Sequence, residues 1–292
     1  ASKNAPEESL RYARALLRES RLDQAEATLV SALRVAPRNV ALLQALGQVH
    51  LEENDLPQAR QVLGRIEALK TDEARRAASE LELRLIEREQ GTEEALNYLG
   101  ALAETNEDDR VKLALIRAQL LAGKTTEALD YATELVASKP GDFAYRYFLA
   151  LARAANRDHA GAETILAELV RERPDQSQPW LQLARVRALA GAPEGMMGTL
   201  DEALKIRPDA PDLLWAKASI LERKGEVEGA IAIYDRLYAR DSSSVVVANN
   251  LASLLATHRD DPESLARAET IARRLRDADA PDVADPVLEA AG

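Results

Sequence analysis

Apolar residues recur along this chain at helical spacing, and the helical stretches come in pairs. From 109 to 122, Leu113, Ile116 and Leu120 fall on one face of a helix. Gly123-Lys124 makes a turn, because glycine supplies the positive φ that a helix C-terminus often needs. A second helix spans 125–137, and Pro140 stops it, lacking the amide hydrogen a helix interior requires. The same two-helix grammar places units at about 6–38, 40–72, 76–108, 109–141, 143–175, 177–209, 211–243 and 245–277. Breaks between helices fall at Asn54-Asp55, Gly91, Gly123, Asn156-Arg157, Gly191, Gly225 and Arg259-Asp260.

The units keep a beat. Pro140, Pro174 and Pro208 stand 34 residues apart. A small-residue slot runs Ala25, Ala59, Ala95, Ala128, Ala162, Met196, Ala230, Ser264, in steps of 34, 36, 33, 34, 34, 34 and 34. A fixed period near 34 is the signature of stacked helix–turn–helix units. Small side chains in the slot let the second helix of a unit approach the first closely. Each unit leaves an apolar edge that only a neighbour can cover, so stability is shared along the array. Gly161, Gly195 and Gly229 also repeat at 34, which fits either a close backbone approach or duplication of these units. Regularity fails at 72–76, where one or two residues are added and Glu107 stands near the expected proline. It fails again in the last unit, with a serine run at Ser242–Ser244 and a charged turn at His258–Pro262.

Across 6 to about 277 the sequence resembles the tetratricopeptide repeat family. Unit six carries Trp180, Leu183-Ala184, Met196, Leu200, Ala203 and Pro208 in that family's pattern. Unit one carries Ala25, Leu29, Ala32 and Pro37, unit two Leu43, Leu46-Gly47, Ala59 and Leu63, and unit eight Asn250-Leu251-Ala252. Met196 and Ser264 depart from the slot, and units two, three, seven and eight lack the proline. The resemblance implies an all-α fold, a right-handed α-solenoid over 1–277, with 278–292 as a tail or the start of a truncated capping helix. The pentatricopeptide family has a similar shape, but its period is 35, it is usually basic and it binds RNA. The 34-residue period and the acidic charge favour the first family.

Composition narrows the function. The net charge is −11, which repels phosphate backbones and argues against a nucleic-acid partner. The charges are interspersed, as on solvated helix faces. With 0 cysteines there is no disulfide framework, thiol nucleophile or cysteine-ligated zinc. No apolar run approaches the ~18 residues that span a bilayer, so no integral membrane segment is expected. The start at Ala1 without Met, followed by a small and polar stretch, suggests trimming from a longer or processed precursor.

The chain carries no catalytic, cofactor-binding or metal motif. His50 falls in a core slot, while His159 and His258 fall in turns, with no shared helix or ligand spacing. Glu52-Glu53 and Asp260-Asp261 read as solvation and capping. In Gly195–Gly198, Met196 reads as core filling; Phe148 reads as core and Tyr147 as exposed.

The resemblance also implies a concave groove lined by the first helix of each unit, with contacts at its fifth and ninth positions. Here these are Leu10/Arg14, Gln44/Gln48, Glu80/Arg84, Leu113/Arg117, Tyr147/Leu151, Leu181/Arg185, Trp215/Ser219 and Asn249/Ser253. The candidate peptide-binding residues are Arg14, Gln44, Gln48, Arg84, Arg117, Tyr147, Arg185, Trp215, Asn249 and Ser253. Arginine holds a carboxylate with two parallel hydrogen bonds, so a basic and aromatic track suits an extended peptide or partner helix. The same arginines also suit pairing with glutamates one helical turn away. The lysine–asparagine set of chaperone-binding members has no match in consecutive units. The expected function is a non-enzymatic scaffold for a protein or peptide partner, similar to repeat segments of bacterial envelope and exopolysaccharide-export proteins, with a periplasmic setting favoured over the cytoplasm. The alternative is self-association through an uncapped C-terminal edge exposing Leu254, Ile271 and Leu275.

Overall fold

The computed structural model describes residues 5–191 and 193–279. Among them are sixteen helices: α1 (Ala5–Arg18), α2 (Leu22–Val35), α3 (Val40–Glu52), α4 (Leu56–Glu67), α5 (Asp72–Gln90), α6 (Thr92–Thr105), α7 (Asp109–Leu121), α8 (Thr125–Ser138), α9 (Phe143–Ala155), α10 (His159–Glu172), α11 (Ser177–Leu189), α12 (Pro193–Ile206), α13 (Pro211–Arg223), α14 (Val227–Arg240), α15 (Val245–His258) and α16 (Pro262–Asp279). The fold is an all-α solenoid of tandem helix–turn–helix repeats. The tail expected beyond 279 lies outside the described residues.

Local chemistry sets the helix ends. Asn39, Asp55, Thr71, Asp142 and Asp158 each accept, through a side-chain oxygen, the backbone N–H three residues on. Each such cap is worth about 1 kcal/mol. Asp261, expected in a capping role, accepts from Ser264 N–H at 2.8 Å. Gly91, Gly123, Gly191 and Gly225 turn the chain with positive φ; Asn54 and Arg157 do the same without glycine. Ser20 and Lys70 also have positive φ and close turns that the sequence pattern did not single out. Pro37, Pro140, Pro174 and Pro208 stand just past the ends of α2, α8, α10 and α12.

The chain forms two compact units, Ala1–Ala128 and Leu129–Gly292. In the first, α1 packs on α2 and α3, and α3 on α4 and α5, over a core that includes Leu16, Leu29, Leu42, Leu43, Ile66 and Leu85. In the second, α9 packs on α10 and α11, and α13 on α14, around Leu166, Leu169, Trp180, Leu183 and Tyr234. Burying a large aliphatic side chain stabilises by about 1.5–3 kcal/mol, and these residues are almost wholly enclosed. Across neighbouring repeats a turn cation meets a glutamate in the first turn of the preceding second helix: Lys124 with Glu93 at 2.5 Å, Lys224 with Glu194 at 3.7 Å, and Arg259 with Glu228. Such exposed pairs contribute ~0.2–1 kcal/mol each.

The small-residue slot is the tightest part of the packing. Ala25, Ala59, Ala128, Ala162 and Ala230 have no exposed surface. Met196 is partly buried against the core of the second unit. In the last repeat Ser264 is half-exposed, while Ala268 and Ile271, 34 residues after the buried Tyr234 and Leu237, are buried. The helix face expected on α7 is rotated, with Leu115 and Ile116 buried and Leu113 and Leu120 half-exposed.

The expected open edge at the C-terminal end is corrected. Leu254 is 5% exposed and Ile271 3% exposed, both inside the core formed with α14, and Leu275 packs against it. The 18-residue α16 lies along α15, with its own Ile271 inside that core.

Two of the recurrent glycines have a packing reason. A Cβ on Gly161 would stand 2.2 Å from the Asp158 carboxylate and 2.5 Å from Arg153 Nη1. One on Gly229 would stand 3.1 Å from Leu221 Cδ1. In both places the second helix of a repeat starts against groups from the first helix or the turn.

Candidate functional site

The first unit gathers four of the ten candidate residues. Gln44 and Gln48 lie one turn apart on α3, Arg14 projects from α1 and Arg84 from α5, and all four line one depression of about 150 Å³. Its floor includes Ala41, Ala45 and Leu81. Gln44 donates its side-chain amide to the Glu80 carboxylate, joining α3 to α5 across the depression. The close approach depends on Gly47, between the two glutamines: a Cβ there would stand 2.7 Å from Leu81 Cδ2.

A larger hollow of about 760 Å³ continues from this one, sharing Arg14 and Gln48. Arg11 and Arg18 line it, one turn to either side of Arg14 on α1, together with Glu52. Among the described residues, Arg11, Arg14, Arg18 and Arg84 form no ion pair with a carboxylate of the chain. Four guanidinium groups therefore face two carboxylates, Glu52 and Glu80, on a chain whose net charge is −11. Guanidinium forks held by separate helices suit carboxylate groups or backbone carbonyls of a bound chain.

The other six candidates do not share this depression. Arg117 is exposed on α7. In the second unit, Arg185 is exposed on α11, Trp215 is 44% exposed on α13, and Asn249 and Ser253 are exposed on α15. Tyr147, expected to be exposed, is half-buried: its ring meets Phe148 edge-on at 5.7 Å and packs against the core. Phe148 is buried.

Sequence reasoning named Glu80 only as a register position and missed Arg11, Arg18 and Gly47 as parts of this surface. The signal for the arginines was present in their spacing around Arg14, three residues before and four after, which places all three on one helical face. His50 is buried, with Nδ1 3.3 Å from the Glu53 carboxylate. Among the described residues, no group of three or more His, Asp or Glu side chains is arranged to hold a metal ion, and no helix is long and apolar enough to cross a membrane.

Two profiles of the tetratricopeptide repeat match the chain, one over residues 16–81 and the other over 113–177 and 198–245, together more than half its length. No curated protein matches it in sequence. Among solved structures, a tetratricopeptide repeat protein from Parabacteroides merdae has a TM-score of 0.53 at 18% identity, covering 86% of this chain and 99% of that one. At that identity the likeness is one of fold alone. A thermophilic repeat protein of Thermus thermophilus is 24% identical with a TM-score of 0.47, over 61% of this chain and 98% of that one. MamA from Desulfovibrio magneticus is 15% identical with a TM-score of 0.45, over 60% of this chain and 99% of that one.

Proposed function

We propose, from the premise that this chain belongs to the tetratricopeptide repeat family, that it is a non-enzymatic scaffold whose α1–α3–α5 face holds a peptide or an extended segment of a partner protein. Repeats of this family mediate protein–protein contact. The observation that carries the finer reading is the convergence of Arg14, Gln44, Gln48 and Arg84, from three helices, on one depression. The glutamine amides offer donors and acceptors to a peptide backbone, and the arginines supply charge. The envelope setting implied by the resemblance belongs to the same proposal. Self-association through the C-terminal edge does not, because Leu254 and Ile271 are buried.

The test is parallel affinity capture from a bacterial lysate with the parent chain and with the double variant Arg14→Glu/Arg84→Glu. Both positions are exposed, so helix content should be unchanged by circular dichroism. The variant should lose most of the partner recovered by the parent. Equal recovery by both chains would remove this face from the function.

A further inference from the structure

A second surface lies on the first unit, sharing only Glu80 with the arginine-lined depression. Several consecutive first helices touch: α1 on α3, α3 on α5, α9 on α11 and α11 on α13. α5, with 19 residues where α3 and α7 have 13, and α7 both pack on α6. The cleft left between α5, α6 and α7 measures about 730 Å³, within the ~300–1,000 Å³ common for specific pockets.

The cleft is not polar throughout. Leu83, Leu99, Leu102, Val111 and Ala114 line it from all three helices. Its rim carries five carboxylates and three guanidinium groups. Arg75 is paired with Asp72, and Arg110 with Asp108 at 2.6 Å, so two of the three cations are already neutralised. Glu82 accepts a hydrogen bond from the Tyr98 hydroxyl at 2.8 Å. Burial first, and then the Glu82 contact, push that phenol up to about 12, so the hydroxyl keeps its proton and stays a donor. Glu67 acts on the same hydroxyl, which places a second carboxylate nearby. Arg76 is the one rim cation left to face Glu67, Glu80 and Glu82.

We propose that this cleft receives an amphipathic helix of a partner protein, its apolar side chains on the leucine floor and its lysine or arginine residues toward the Glu67 and Glu82 rim. A helix laid between helices satisfies its own backbone and buries only its apolar stripe. The negative rim selects the sign of the flanking charges.

The chain is titrated with two short fluorescein-labelled model helices. Both carry leucines on one face; one is flanked by lysines and the other by glutamates. Fluorescence anisotropy should show the lysine-flanked peptide binding about ten-fold or more tightly than its counterpart. Val111→Glu should weaken it by a similar factor, and Glu67→Gln/Glu82→Gln should reduce the preference for lysine. Arg14→Glu should leave it unchanged, which separates this site from the arginine-lined face. If Val111→Glu lowers helix content, Ala114→Glu at an exposed position of the same wall takes its place. Equal or tighter binding of the glutamate-flanked peptide, binding by neither, or sensitivity to Arg14→Glu alone overturns the proposal.

Discussion

Trp180 donates its indole N–H to the backbone carbonyl of Pro174 at 3.0 Å, tying the first turn of α11 to the loop that closes the preceding repeat. The ring is only 6% exposed, so the bond is made in a largely water-excluded place. The same loop is gripped from the other side by Arg207, which donates to the Asp175 carbonyl at 2.9 Å and the Ser177 hydroxyl at 2.7 Å. One repeat later Arg240 reaches back to the Asp209 carbonyl in the same manner. The proline that stops a helix thus also presents a carbonyl that the next repeat uses.

Removing that donor separates two roles of the tryptophan. Trp180→Phe keeps most of the ring and loses the hydrogen bond, and should destabilise by about 1 kcal/mol. Trp180→Ala also empties the space and should cost about 3–5 kcal/mol. Thermal unfolding followed by circular dichroism reads both. A Phe variant as unstable as the Ala variant would show that the bond, not the packing, holds the loop.

The repeat period was legible because close packing forbids large side chains where two helices cross; Ala25, Ala59, Ala128, Ala162 and Ala230 record that constraint directly. Ser264 keeps that register, 34 residues after Ala230, but is less buried than the alanines. The glycines at 161 and 229 were visible but unexplained, since their reason lies in Asp158, Arg153 and Leu221 pressing from neighbouring segments. On the arginine-lined face, Arg14, Gln44, Gln48 and Arg84 could be named because regular repeats place equivalent positions side by side. Arg11 and Arg18 escaped because a fixed position samples one residue per helix, whereas a surface uses a whole helical face. Tyr147 could not be assigned, because exposure at its position depends on how Phe148 and the core take up the ring.

Acid should loosen the start of α7 before the core fails. The Arg110 guanidinium, and then its backbone N–H, hold the Asp108 carboxyl down at about 2. In the unfolded chain an aspartate titrates near ~3.9. A depressed native value means that the stabilisation is complete above the unfolded value and is lost as pH falls from about 4 toward 2. Asp108→Asn should therefore flatten the pH dependence of stability in that window, being less stable than the parent at neutral pH, with the difference closing as pH falls toward 2. Denaturation midpoints measured at a series of pH values check this; parallel acid curves for parent and variant would refute it.

Gly47 and Leu81 should behave as one unit energetically. Adding a methyl to Gly47 gains about 1 kcal/mol of helix propensity but forces a Cβ to 2.7 Å from a Leu81 methyl in a buried contact. Overpacking of that kind costs ~1–3 kcal/mol, so Gly47→Ala should be mildly destabilising. Leu81→Ala opens a cavity and should cost about 2–5 kcal/mol. In the double variant the new methyl enters the space the leucine vacated, so the two losses should sum to about 1 kcal/mol more than the observed change. The contact also spaces the candidate site, since Gln44 and Gln48 flank Gly47 and Gln44 reaches Glu80 on the helix that carries Leu81. Gly47→Ala should weaken partner capture on the arginine-lined face by a larger factor than its loss of stability explains, and Leu81→Ala added to it should restore part of that binding. Strict additivity in denaturant unfolding, with capture unaffected by either change, would show that the helix spacing at Gly47 serves the core alone.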